Sequence, residues 1–323
     1  MAPAGAARSV LTRAAIGLGL AALLLFPFVF TQPHPRHVMT MVFLYGALAS
    51  AWNILAGDCG QISLGHAVFF GIGAYTSTVL TREPLAVSPW LGMLAGAALA
   101  VLASQVIGYP VFRLRGHYFA IATIAVGEIV QTLAINWDRV GGARGLFVPI
   151  RRPDSLWHLQ FHQHRAAYYF IALGLLALAL GATRWIERSR RGYYFRAIRE
   201  DQEAAASLGV PVAREKHWAI AVSAALTALG GTFYAQYVFF IDPESVLSLT
   251  LSILICLVAV LGGVGTLWGP ALGAAVLIPL GEFTRILLGG GGKALDLMIY
   301  GGLIVLIAVF QPAGLMGLLR RRA

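Results

Sequence analysis

The stretch Val38-Met-Thr-Met-Val-Phe-Leu-Tyr-Gly-Ala-Leu-Ala-Ser-Ala-Trp-Asn-Ile-Leu-Ala-Gly57 contains no Asp, Glu, Lys or Arg. About 20 apolar residues in a helix are what it takes to cross ~30 Å of hydrocarbon. Backbone amides find no water partner at that depth, so such a segment is a helix. Outward from it, comparable apolar runs recur near residues 11–30, 62–81, 88–109, 118–136, 166–186, 217–240, 249–264, 269–288 and 296–311. The sequence therefore predicts an all-α integral membrane protein, a polytopic bundle of about 10 transmembrane helices with eight as the alternative count, in one domain over residues 1–323. Only 12% of the residues are charged, about half the share of a soluble domain, so lipid rather than water is the solvent.

Orientation follows from Lys and Arg, which concentrate in cytoplasmic loops. Arg8 and Arg13 precede the apolar run Ala14–Phe30, and no small-x-small cleavage site follows it, so residues 1–35 are read as a retained anchor span. With the N-terminus inside and ten spans, the inside receives Arg8, Arg13, Arg113, Arg115, the dense Arg184–Lys216 region and Arg320–Arg322, about fifteen of the 24 basic residues. Both termini are then cytoplasmic, residues 137–165 form an extracytoplasmic loop, and residues 188–215 form a cytoplasmic one. The net charge of +10 sits in short loops with no basic stripe interleaved with aromatics, which argues against nucleic acid as a partner. Cys59 and Cys256 have no metal-ligand spacing, and no nucleophile, base and orienting group stand together, so neither a metal site nor an enzyme is expected.

Within the cytoplasmic loop, Asp201–Leu208 is rich in alanine. Glu200 and Asp201 stand where a helix macrodipole favours negative charge, and Gly209-Val-Pro211 stops the helix. A short helix is expected, with Ala204, Ala205 and Ala206 as a smooth surface and Arg196 and Arg199 setting its register; a plain solvated connector is the alternative. A second informative segment, Gly57–Tyr75, mixes Asp58, Gln61, Ser63 and His66 with glycines. It reads either as a helix interrupted along a substrate path or as close packing through Gly65, Gly71 and Gly73. Glu128, at membrane depth near Thr123, either lines a path or bonds to a neighbouring helix. Glu282 and Arg285 have the spacing of a structural ion pair. Residues 137–165 form a polar segment that is either a landing surface for another protein or a solvated connector. The run Gly289–Lys293 lacks the glycine and the Ser/Thr of a phosphate loop, so no ATP or magnesium site is expected in this chain.

The pattern Gly192-x3-Arg196-Ala-Ile-Arg199-Glu-Asp201-x2-Ala204-Ala-x3-Gly209 resembles the EAA loop of ABC-importer permeases, whose coupling helix docks into the ATPase. Asn53-x3-Gly57-x2-Gly60-Gln-Ile-Ser63-Leu-Gly65-His66-x4-Gly71-x-Gly73-Ala-Tyr75 resembles LivM-type branched-chain amino acid permeases, as do Arg115-Gly-x-Tyr118-Phe-Ala120-Ile-Ala-Thr123 and Gly262-Gly-x-Gly265-x3-Gly269-Pro270. The resemblance implies ATP-driven uptake of branched-chain or related small amino acids across a prokaryotic inner membrane. It also implies a second homologous permease, ATP-binding subunits on the cytoplasmic face and an extracytoplasmic binding protein. Relatives with similar motifs carry urea, amides or other amino acids, and a gradient-driven secondary transporter is the alternative of another class. The coupling residues are then Arg196, Arg199, Glu200, Asp201, Ala204, Ala205 and Gly209, and the pathway candidates are Asn53, Gln61, Ser63, His66, Tyr75, Thr123 and Glu128.

Overall fold

A computed structural model describes residues 19, 21–30, 32–151, 154–161, 166–287, 301–302 and 314–321. Residues 21–29 are helical, and the long helices that follow are α1 (Pro33–Asn53, continued by a π turn, Ile54–Asp58), α2 (His66–Thr81), α3 (Pro89–Val111), α4 (His117–Ile135) and α5 (Ala166–Arg188). Next come α6 (Arg190–Glu200), α7 (Gln202–Ser207), α8 (Val212–Val238), α9 (Pro243–Val246), α10 (Leu249–Gly262), α11 (Gly269–Leu287) and α12 (Gly314–Arg321). Among the described residues six helical segments are long and apolar enough to cross a membrane: Pro33–Asp58, Pro89–Val111, His117–Ile135, Ala166–Arg188, Val212–Val238 and Pro243–Gly262. Of the expected spans near 11–30 and 296–311, the described residues take in 19 and 21–30 of the first and only 301–302 of the second.

Helix starts follow local chemistry. Pro lies in the first turn of α1, α3 and α9, where its missing N–H costs no hydrogen bond. Ser248 caps α10 by accepting from the Leu251 amide at 3.3 Å. The 62–81 span starts later than the apolar run, at His66, because residues 59–65 are non-helical.

The helices pack as a bundle in which α8 lies along α2 and α3, while α1 is flanked by α5 and α11, and α10 lies along α11. Small residues make the close seams. A Cβ on Gly73 would strike the Ala228 carbonyl, and one on Gly231 would strike the Phe70 carbonyl, so α2 and α8 touch backbone to backbone. Gly262 and Gly273 do the same for α10 and α11. Between these seams lies a buried core including Trp52, Phe70, Tyr169 and Phe233.

Loops gather at two ends. At one, residues 58–65, 112–116, 189–211 and 263–268 meet, joined by an Arg115–Glu203 ion pair and by the Asn53 and Arg199 contacts described below. At the other, β1 (Leu146–Phe147) pairs antiparallel with β2 (Phe240–Ile241). The described part of 137–165 is therefore a folded cap rather than a loose connector. Ser88 Oγ donates to the Trp157 carbonyl at 2.7 Å, Trp90 Nε1 donates to the Leu156 carbonyl at 2.7 Å, and buried Gln160 ties Arg151 to Pro149.

Candidate functional site

The break between α1 and α2 is closed by side chains from three helices, α1, α4 and α10. Trp52 Nε1 donates to the Ser63 carbonyl at 2.7 Å, and Thr123 Oγ1 accepts from the Leu64 amide at 3.0 Å. Ser252 Oγ accepts from the Ala67 amide at 2.9 Å. Backbone groups released by the interruption thus find partners inside the protein, the condition for irregular backbone at membrane depth.

His66 is fully buried at the centre of this repair. Its Nε2 lies 2.8 Å from Ser223 Oγ and its Nδ1 lies 3.2 Å from Ser63 Oγ. Ser223 Oγ donates its single proton to the Ala51 carbonyl at 2.7 Å. Nε2 is therefore the protonated nitrogen, and Nδ1 accepts from the Ser63 hydroxyl. A neutral imidazole set in this way pins α1, α2 and α8 together. The glycines of the segment also pack closely: a Cβ on Gly65 would meet the Thr123 carbonyl, one on Gly71 the Leu247 side chain, and one on Gly73 the Ala228 carbonyl.

Asn53, on the last turn of α1, accepts from the Gly265 amide through Oδ1 at 2.8 Å and donates from Nδ2 to the Thr266 carbonyl at 3.3 Å. One amide therefore locks the α10–α11 loop onto the broken helix, although the two segments lie over two hundred residues apart in sequence. Gln61 bonds only locally, its Nε2 donating to the Cys59 carbonyl at 3.4 Å.

The predicted short helix exists as α7. Asp201 caps it, accepting from the amides of Glu203 at 2.8 Å and Ala204 at 3.0 Å. The Ala204 and Glu203 amides hold the Asp201 carboxyl below the usual aspartate range. Sequence reading missed α6, the helix before it. Glu200 closes α6 rather than starting α7. Phe195 and Ile198 face inward from α6, the apolar i, i+3 signal from which it could have been found. Ala205 joins them in the buried cluster, so the outward surface of α7 is Ala204, Ala206 and Leu208, the last 85% exposed. Arg196 donates to the Glu187 carbonyl at 3.2 Å. Arg199 reaches back to the Gly57 carbonyl at 2.7 Å.

Residues 35–308 match the family described as "Branched-chain amino acid transport system / permease component". The chain belongs to this family. It is 30% identical to the high-affinity branched-chain amino acid transport system permease protein LivM of Escherichia coli over 305 residues, covering 88% of this chain and 70% of the relative. It is 25% identical to BraD of Pseudomonas aeruginosa over 296 residues and 24% identical to LivH of E. coli over 298, covering 86% of this chain and 93% of each relative. Both are named as permease proteins of the same kind of transport system. No solved structure matches.

Within this family member, the remaining expected site residues are scattered. Tyr75 faces an apolar cavity of about 350 Å³ with Trp137 and Leu247, and its hydroxyl is buried without a hydrogen-bond partner among the described residues. Thr123 is buried, its hydroxyl donating to the Ala120 carbonyl at 2.7 Å while accepting from Leu64. Glu128 lies apart from them, exposed midway along α4, a helix with only Phe119, Thr123 and Ala134 buried among the described residues. The Arg285 side chain lies outside the described residues, and with it the expected Glu282–Arg285 pair.

Proposed function

We propose that this chain is the membrane-spanning permease subunit of an ATP-driven importer for branched-chain or related small amino acids, with both termini cytoplasmic and separate subunits hydrolysing ATP. The observation that carries the reading is α7: a capped helix at a strongly basic end of the bundle, anchored by Ala205 and presenting Ala204, Ala206 and Leu208 outward. A gradient-driven carrier has no use for such a projecting foothold; a permease driven by a separate motor needs one. The basic residues around it make this end cytoplasmic.

A second permease subunit is expected against α4. An exposed carboxylate midway along a membrane helix cannot rest in lipid, so Glu128 must meet protein or an aqueous path. LivM and LivH are both named as branched-chain permease proteins of E. coli, which favours a related partner over a second copy. At the opposite end, the cap exposes Phe147, Ile150, Leu156 and Trp157, an apolar surface suited to an extracytoplasmic binding protein.

Cysteine at position 204 is expected to crosslink to a nucleotide-hydrolysing subunit, and uptake of labelled leucine into vesicles is expected to require ATP. Uptake by the purified chain alone, without nucleotide, would overturn the reading.

A further inference from the structure

We propose that Arg199 is the positioning residue through which movement of the α6–α7 pair reaches the membrane, and that it does so by exchanging the Gly57 carbonyl for the Asp58 carboxylate. The inference rests on the importer reading and adds the contact that carries the motion.

Arg199 ends α6 one residue before the turn into α7, yet its guanidinium points back into the bundle. Its Nη1 donates to the Gly57 carbonyl at 2.7 Å, inside the π turn that closes α1. The notch receiving it is built of glycine. A Cβ on Gly60 would lie 3.1 Å from the Arg199 Cα, and one on Gly265 would collide with Nη1. Gly60 and Gly265 also hold φ of +74° and +73°, which side chains rarely adopt. Because Asn53 ties Gly265 and Thr266 to the same turn, one guanidinium touches both inner loops at once.

A second acceptor lies one residue away. Asp58 Oδ2 is buried with no hydrogen-bond partner among the described residues, next in the chain to the Gly57 carbonyl that Arg199 already holds. A buried carboxylate oxygen without a donor is unfavourable, and a charge-assisted bond from guanidinium is among the strong ones. Arg199 as a residue is exposed, and its stem packs against Gly60, which has no side chain to block its movement. The guanidinium therefore has one acceptor that is filled, the Gly57 carbonyl, and beside it in the chain a carboxyl oxygen that is empty, and a two-position latch requires such a pair. Displacement of α6 and α7 by a motor would favour the second position, freeing the Gly57 turn and the Gly265 loop together.

The test uses the complex purified with its ATP-hydrolysing subunits and reconstituted in vesicles, with labelled leucine as the probe. In R199A and D58N, leucine carried per ATP hydrolysed is expected to fall at least about tenfold while basal hydrolysis and yield of assembled complex stay within about twofold. R199K, able to donate but not to fork across both loops, is expected to fall between. Hydrogen exchange on the purified chain supplies a readout independent of transport: R199A should speed exchange of residues 55–65 and 263–268 about tenfold, leaving α8 unchanged. Unchanged exchange in R199A overturns the latch even if the complex transports. A wild-type ratio of uptake to hydrolysis in both variants, or parallel loss of uptake, hydrolysis and assembly, overturns the coupling role. Uptake by the wild-type complex without ATP overturns the importer reading instead, whatever exchange shows.

Discussion

The imidazole of His66 touches two hydroxyls from different parts of the chain, and one of them, Ser223, is itself committed to the α1 backbone. Hydrogen bonds between membrane helices contribute on average about 0.6 kcal/mol, and up to about 1.7 kcal/mol. His66→Leu, which removes two of them, is expected to destabilise the purified chain by about 1–2 kcal/mol, read as a lower melting temperature in detergent. Ser223→Ala should approach the same loss, because the Ala51 carbonyl and His66 Nε2 both lose a partner. Asp201 behaves differently, being exposed at the cap of α7. Since its folded carboxyl titrates below the usual aspartate range, its contribution is complete above that range and disappears only as pH falls through the lowered value. The α7 cap should therefore hold through neutral pH and loosen in acid, visible as faster amide exchange at Glu203 and Ala204. Of these two residues, Asp201 was legible as a helix start from its place before an alanine run. His66 stood out as a polar group among glycines, but its partner Ser223 is 157 residues away and nothing local points to it.

At the scale of elements, the α2–α8 seam depends on the absence of side chains. Gly231 faces the Phe70 carbonyl, a backbone atom that cannot turn aside. Gly231→Val is expected to separate the helices at a cost of about 1–3 kcal/mol or more, seen as lower yield of folded protein. Gly181→Ala on α5 is the matched control, because a Cβ there meets nothing within 4 Å and alanine favours the helix. Most elements were readable from apolar run length, since α3, α4, α5, α8 and α10 fall on the expected runs. Two were not. α6 lay hidden because Arg190, Arg191, Arg196 and Arg199 mask its inward Phe195 and Ile198. The late start of α2 depends on hydrogen bonds from Trp52, Thr123 and Ser252, which only tertiary packing supplies.

For the whole molecule, the two ends should differ in access. A single cysteine at 204 is expected to label only from the cytoplasmic side and one at 157 only from outside, with membrane-impermeant maleimide on intact cells and inverted vesicles as the measurement. Labelling of both from one side would reverse or fold back the proposed orientation. Run length and scarcity of charge by themselves determined that this chain is a helical membrane protein, because crossing hydrocarbon imposes a local, countable requirement on sequence, while its glycine-bearing motifs resemble the branched-chain permease family to which it belongs. Which polar groups close the broken helix, which alanine of α7 faces in, and where Arg199 points were decided by tertiary structure alone. Each depends on atoms brought together from segments far apart in the chain, over two hundred residues in the case of Asn53 and Gly265, and a small or polar residue carries no mark of its future partner.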